Sequence, residues 1–251
     1  MPAPARPRIR MATAITGMAE LGPAGASGES AGIAALVRLL TWTSPAFPVG
    51  AFAFSHGLEA VIAEGRVRDG EALFGWIETL LLHGSGWNDL VFLTEAHRLA
   101  SQGETGPGWD DLVALARASA GSAERRREVM DLGRAFAEAA APWAEPLQPG
   151  AAPVPYTLAF GALAAREGVP LLPCLAAFAH AFAANLASVA VRLVPLGQRE
   201  AVRVIRRLEP VVGSAARRAA GSTLDDLGSA AILSDIAALR HETLQPRLFL
   251  T

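Results

Sequence analysis

Apolar side chains recur at helical spacing along most of the chain. Ile33, Leu36, Val37 and Leu40 fall at positions i, i+3, i+4 and i+7, which places them on one face of an α-helix. Similar stripes follow, alanine and leucine are frequent, and β-branched runs are short, all of which favour helices over strands. The pattern predicts an all-α fold, a single-domain bundle of about ten helices over residues 33–251. Helices with two recognisable ends are predicted at 109–119, 124–141, 156–167 and 173–194.

Glycine, proline and capping residues mark the breaks between the predicted helices. Gly65 suits a left-handed helix C-cap, and Asp69 can accept hydrogen bonds as an N-cap. A surface loop is expected at 101–108 and a proline-rich connector at 142–155. After residue 198 we expect three more helices: a basic one that ends at Glu209, a short one around Arg217, and a last one at 234–244.

The first 32 residues are rich in alanine, glycine and proline, and they lack the continuous apolar stretch of a secretory signal. We therefore expect residues 1–32 to be a disordered leader. Arg6, Arg8 and Arg10 leave an amphipathic transit peptide as the alternative. Cys174 is the only cysteine, which excludes an internal disulfide and favours a reducing, cytoplasmic compartment.

The predicted helix at 173–194 is the most apolar in the chain. About 20 residues cross a bilayer, so its length permits a membrane span. It is nevertheless rich in alanine and carries His180, Asn185, Ser188 and Arg192. We expect a buried central helix whose His180 and Asn185 hydrogen-bond to neighbouring helices, with an internal path for an ion as the alternative.

The charge of the chain excludes several classes of function. With a formal net charge of −2 and a pI near 6.2, it has no excess positive charge for a nucleic-acid backbone. All 22 basic residues are arginine, so neither a Walker A phosphate loop nor lysine Schiff-base chemistry is possible. Nucleotide hydrolysis would have to be supplied by a partner.

Catalytic and metal-binding templates do not fit the sequence. None of the five histidines pairs with another at the i, i+3 or i, i+4 spacing of a helical metal site. His241-Glu242 begins like a metalloprotease motif, but Gln245 occupies the position of the second histidine. We therefore predict neither an enzyme nor a resident metal or other cofactor. The arginines at 125–127 are expected to form a solvated face, with a docking patch for an acidic partner as the alternative.

Three segments are difficult to explain as ordinary core. The loop SPAFPVGAFAFSHGLE at 44–59 combines turn residues with large apolar side chains, and PLGQ at 195–198 follows the most apolar helix. The sequence then closes with Arg247, the apolar run Leu248-Phe249-Leu250, and Thr251. Such a tail either folds back on its own domain or docks into another protein.

Together these segments resemble the urease accessory protein UreF family. The loop is similar to the family's Ser-Pro, Pro-Val-Gly-Gly-Phe and Ser-x-Gly-Leu-Glu signature. Asn185, Arg192 and PLGQ resemble its Asn-to-Pro-Leu-Gly-Gln segment, and the chain end resembles its last helix and tail. The residues that carry the match are Ser44, Pro45, Pro48, Gly50, Phe52, Ser55, Gly57 and Glu59 in the loop, Pro195, Leu196, Gly197 and Gln198 in the turn, and His241, Glu242, Arg247, Leu248 and Phe249 at the end.

The resemblance implies a cytoplasmic, all-helical homodimer that takes part in urease maturation and nickel-centre assembly. Its implied partners are UreD, also called UreH, the GTPase UreG and the urease apoprotein, with no nucleic acid, no membrane and no catalytic residue. We expect the five matching residues of the chain end to bind UreD, and the loop and PLGQ to serve as structural or interface elements.

The sequence departs from the family at three places, and other functions stay open. Ala51 stands where the family commonly has a second glycine, Phe54 replaces a tyrosine, and Pro246 precedes the tail arginine. Alanine resists some backbone conformations that glycine adopts, so this substitution bears on the shape of the loop at Ala51. The alternative function is an ion conduit or small-ligand-binding helical protein that uses His180 and Asn185.

Overall fold

The computed structural model describes residues 23–104, 106–143 and 153–251, and side chains from residue 28. These residues form helices and connecting loops without any strand, which confirms the all-α prediction. In chain order the α-helices are α1 Pro23–Trp42, α2 Leu58–Ala63, α3 Gly70–His83, α4 Ser85–Ser101, α5 Pro107–Ala118, α6 Ala123–Ala139, α7 Tyr156–Arg166, α8 Leu171–Leu193, α9 Gln198–Ala220 and α10 Ile232–His241. Two single 3₁₀ turns lie at Ala51–Ala53 and Leu224–Asp226.

The centre of the bundle is built from α4, α7, α8 and α9. Helix α4 packs along α7, and α8 packs along α9, with α3 against α9. The α4–α7 contact is close because Gly161 presents no side chain: a Cβ there would lie 2.7 Å from the Leu93 carbonyl oxygen. The described part of the chain therefore shares one main hydrophobic core, to which every helix except α5 contributes a buried side chain.

Helix α8 is long and strongly apolar, and it runs through this core. Among the described residues it is the one helix long and apolar enough to cross a membrane, but 56% of its most apolar window is buried by the rest of the protein. Cys174 is fully buried, as predicted for a central helix. His180 lies on the exposed side of α8, so the prediction of a core role for it was wrong.

Helix α9 continues past the predicted break at Glu209. It runs without interruption to Ala220, so the predicted short helix around Arg217 is its second half. Pro210 removes one backbone donor and lies on the exposed side. The buried stripe resumes at Val211 and Val212, and we attribute the continuity of α9 to this packing against α8 and α3.

The N-terminal helix differs from its prediction in two respects. Helix α1 begins at Pro23, so residues 23–32 of the predicted leader are helical, while residues 1–22, including the possible transit peptide, lie outside the described residues. The predicted apolar face at Ile33, Leu36, Val37 and Leu40 is exposed. The side chains of α1 that enter the core are instead Ala35, Leu39 and Trp42.

Candidate functional site

The loop at 44–59 owes its shape to residues with left-handed backbone conformations. Gly50 has φ +79° and precedes the 3₁₀ turn, which accommodates Ala51. His56 and Gly57 follow with φ +52° and +74°. A Cβ on Gly57 would lie 2.9 Å from the Ala238 backbone nitrogen, so glycine allows α10 to approach the loop. Of the other motif residues, Pro45, Pro48 and Phe52 are exposed, Ser44 is half-buried, and Ser55 and Glu59 are buried.

The structure brings the loop together with the end of α8. The Asn185 side-chain amide donates to the Phe54 carbonyl oxygen over 3.2 Å, and the Arg192 guanidinium donates to the Phe52 carbonyl oxygen over 3.2 Å. Arg192 also stacks 4.8 Å from the centre of the Phe249 ring. Two motifs far apart in sequence therefore meet beside the tail.

The tail, defined here as residues 246–251, lies along this loop and bends at Pro246, Leu248 and Phe249. Leu250 donates from its backbone nitrogen to the Ala53 carbonyl oxygen over 2.8 Å, and Ser55 donates to the Thr251 carbonyl oxygen over 2.9 Å. Neighbouring side chains of the tail differ in burial. Phe249 is 3% exposed, whereas Leu248 is 75% and Leu250 is 50% exposed.

A buried imidazole at the end of α10 holds two carboxylates beneath the tail. His241 Nε2 lies 3.0 Å from Glu59, and Nδ1 lies 2.7 Å from Glu124. Glu59 accepts from the backbone nitrogens of Leu248 and Phe249 over 2.7 and 3.0 Å. Arg247 donates to Glu124. We call His241, Glu59 and Glu124 the tail clamp, because every one of these contacts joins the tail or α10 to the body of the domain.

A second buried group of charges lies next to the tail clamp. Arg125 donates to Asp89 over 2.5 Å and to Glu128 over 2.6 Å. Glu128 also lies 3.1 Å from His56 Nε2 and accepts from the Thr251 hydroxyl over 3.3 Å. We call Asp89, Arg125, Glu128 and His56 the arginine cluster. It fixes the last residue of the sequence, as the tail clamp fixes the preceding ones.

Burial perturbs the titration of the arginine cluster. Loss of hydration raises the pKa of Glu128 to about 7, despite the opposing effect of Arg125. The same cause raises the pKa of Asp89. Burial and, secondarily, the charge of Arg125 hold the pKa of His56 well below its usual value, so His56 is neutral at pH 7. The contact between His56 and Glu128 is therefore not an ion pair at pH 7.

Two adjoining cavities share the arginine cluster as a wall. The larger has a volume of about 180 Å³ and extends from the cluster to α10. The smaller, about 60 Å³, lies towards Asn185 on α8. Among the described residues no group of three or more His, Cys, Asp or Glu side chains has the arrangement of a metal site.

The structure places the predicted chain-end residues in two different environments. His241 is buried between the Glu59 and Glu124 carboxylates, and Phe249 is buried beside Arg192, so neither is accessible to a partner in this conformation. Arg247 and Leu248 are exposed residues, and Glu242 is exposed while its carboxylate accepts from the Ala123 backbone nitrogen. For His241 and Phe249, the structure therefore agrees with the alternative in which the tail folds back on its own domain.

The PLGQ turn connects α8 to α9. Leu196 is buried, whereas Pro195, Gly197 and Gln198 are exposed, and Gly197 occupies the N-cap position of α9. The turn lies three residues after Arg192, which stacks on the tail. The turn therefore has a structural role: it begins α9, and its Leu196 side chain is buried in the core.

The prediction of a solvated arginine run was wrong for one of its three residues. Arg126 and Arg127 are exposed, but Arg125 belongs to the buried cluster. A sequence signal existed, because Glu124, Glu128 and Leu132 follow one another at i+4 spacing and continue the buried stripe of α6. Asp89 likewise lies within the apolar helix α4, where a charge requires a partner.

Comparisons with known proteins match most of the chain. A family model described as UreF matches residues 67–209. The urease accessory protein UreF of Agrobacterium fabrum is 51% identical over 226 residues, which cover 89% of this chain and 99% of that protein. The protein of the same name from Rhizobium etli is 48% identical over 224 residues, 88% of this chain and 98% of the relative. That from Mesorhizobium japonicum is 47% identical over 216 residues, 86% and 96% respectively.

Proposed function

Because this chain belongs to the urease accessory protein UreF family, we propose that it is a non-catalytic adaptor that bridges UreD, also called UreH, and the GTPase UreG on the urease apoprotein. Its contribution to nickel-centre assembly is then to hold partners, in the cytoplasm and as a homodimer. The observation that carries the proposal is the docked tail. It is anchored by buried charges and presents apolar side chains outward.

The surface proposed for UreD consists of the outward side of the tail and the exposed apolar side chains of α10, the helix that ends at the tail clamp. Leu248 and Leu250 protrude from the tail, and Ile232, Leu233 and Leu239 on α10 are each more than half exposed. Burial of one such side chain contributes roughly 1.5 to 3 kcal/mol before ordering costs. The tail is ordered before it meets a partner, so less conformational entropy is lost on binding.

Arg247 and Glu242 are the polar members of this proposed surface. His241 and Phe249 act indirectly, because they hold the tail in place from beneath. The composition supports the proposal that GTP is hydrolysed by UreG and not by this chain. Because the chain contains no lysine, it has no phosphate loop.

The test uses single charges placed on the outward side of the tail. Leu248→Asp and Leu250→Asp should each reduce capture of purified UreD at least tenfold, because a carboxylate would have to be desolvated at the interface. Val202→Asp on α9, where the side chain is 63% exposed, is the matched control and should capture UreD normally. In a strain that lacks its own UreF, Val202→Asp should restore nickel-dependent urease activity as the parent does, and the two tail variants should restore less.

Thermal unfolding of each variant distinguishes lost binding from lost folding. The tail side chains are exposed, so the melting temperature should change by less than about 2 °C. Unchanged capture by both tail variants would refute this surface. If Val202→Asp lost as much UreD capture as the tail variants, the added charge and not its position would be the cause.

A further inference from the structure

Two exposed arginines on α6 have no carboxylate to compensate them in the described part of the chain. The salt bridges of α6 involve Arg125 and Arg134, whereas Arg126 and Arg127 form none with a described residue. Both follow the first turn of α6, close to the positive end of its dipole, where a positive charge does not stabilise the helix. Residues that break such a local rule without a compensating contact are typical of a functional surface.

The two arginines line an open groove between α6 and the end of α10. The groove has a volume of about 630 Å³, and Met130 from α6 and Leu239 from α10 form part of its wall. Leu239 is 53% exposed and already belongs to the surface proposed for UreD. The groove is therefore continuous with that surface, and it offers apolar contact beside positive charge.

The two carboxylates of the groove are already engaged. Asp131 lies 3.7 Å from the Arg134 guanidinium, and Glu242 accepts from the Ala123 backbone nitrogen over 2.9 Å. The positive charge of the groove is thus best matched by a carboxylate from outside, which a guanidinium can bind through two parallel hydrogen bonds. A nucleic-acid backbone fits less well, because the chain as a whole has a net charge of −2.

We propose that the protein bound by the tail and α10 places an acidic segment in this groove, with carboxylates on Arg126 and Arg127 and an apolar side chain against Met130 and Leu239. This inference rests on the proposed function, in which that protein is UreD. It adds the chemistry of recognition. The apolar side chains of the tail contribute contact area, and the arginines accelerate the encounter and fix its orientation.

Charge reversal in the groove tests this pairing through its dependence on salt. Arg126→Glu combined with Arg127→Glu should weaken UreD binding at least tenfold in about 50 mM salt, because like charges would then face each other. In about 0.5 M salt, where exposed charges are screened, the loss should shrink to about threefold or less. The variant should fold normally, since glutamate is favoured near a helix N-terminus, and thermal unfolding checks this.

Arg199→Glu combined with Arg206→Glu is the matched control. Both arginines are exposed on α9, outside the groove, and the salt bridges of α9 belong instead to Arg203 and Arg207. This double variant changes the net charge of the chain by the same amount, and it should bind UreD within about twofold of the parent. Equal weakening by the two double variants would show that only net charge matters and would overturn the inference.

The absence of lysine from the chain allows a direct test of the acidic contact. Arg127→Lys keeps the positive charge and introduces the one lysine side chain of the protein. A carbodiimide, which joins an amine to a carboxylate without a spacer, should couple residue 127 to an aspartate or glutamate of UreD in the complex. Arg199→Lys should give no such product. Coupling of residue 127 only to Asp131 of its own chain would contradict the proposed contact.

Leu248→Asp separates this inference from the proposed function. If Leu248→Asp lost UreD while the groove reversal bound it with the affinity and salt dependence of the parent, the surface proposed for UreD would stand and the acidic segment would be refuted. If the parent itself did not bind UreD, both proposals would fail.

Discussion

Glu128 offers a quantitative test of the buried arginine cluster. Its carboxyl is almost fully inaccessible, and burial raises its pKa from 4.5 to about 7. The folded state therefore binds this proton more tightly than the unfolded state does. The corresponding stability is fully present below about pH 4.5 and is lost as the pH rises through about 7.

The size of the effect follows from the shift. One pKa unit corresponds to about 1.4 kcal/mol, so the shift of Glu128 amounts to roughly 3 kcal/mol in total. Part of the loss has already occurred at pH 5, where an unfolded glutamate is mostly ionised. Between pH 5 and pH 8 we expect the parent to lose about 2 to 3 kcal/mol relative to Glu128→Gln, whose amide does not titrate.

Urea unfolding of parent and variant at several pH values measures this difference. All other titrating groups are common to the two proteins, so the contributions of the groups outside the arginine cluster largely cancel. Glu138→Gln, on the exposed side of the same helix, is the control for the loss of a carboxylate outside the arginine cluster. If the gap between the parent and Glu128→Gln stayed constant from pH 5 to 8, the argument from burial would be refuted.

Three further predictions concern other buried positions. His241→Gln should lower the free energy of unfolding by about 3 kcal/mol in urea denaturation, because it leaves Glu59 and Glu124 buried without their shared partner, and a loss below about 1 kcal/mol would contradict the tail clamp. Gly57→Ala should lower the melting temperature by several degrees, through the left-handed backbone and the clash with α10, whereas an unchanged value would mean that α10 is free to move away. Cys174 should resist thiol reagents in the native protein and react in urea, because burial raises the pKa of its thiol, so rapid native modification would show that α8 is not packed as described.

The fold class could be predicted from the sequence because helical spacing is a local property. Errors arose where the outcome depended on what packs against a helix. The spacing of Ile33, Leu36 and Leu40 identifies a common face, but the α1 residues that the body covers are Ala35, Leu39 and Trp42. The predicted break at Glu209 was wrong for the same reason. Residues of α9 on both sides of Pro210 are buried in the core, and this packing keeps the helix continuous.

The candidate site could be predicted only in part. The motif residues were identified through the family resemblance, which gives no information about which side chains touch. Arg125 belongs with Asp89, 36 positions away, and His241 with Glu59, 182 positions away. Such pairs leave no local periodicity, so the tail clamp and the arginine cluster became visible only when distant helix ends were placed in space.

The pairing of the loop with the tail has a consequence for the order in which the molecule is completed. Ser55 binds Thr251 across 196 positions of sequence. At about 5 to 20 residues per second of synthesis, the tail is made roughly 10 to 40 s after the loop that receives it. During that interval Glu59 has neither the tail amides nor His241 as partners, and it stays hydrated. A partner that requires the docked tail can therefore bind only those chains in which the tail has already been synthesised. Recognition then depends on how long ago synthesis of the chain began.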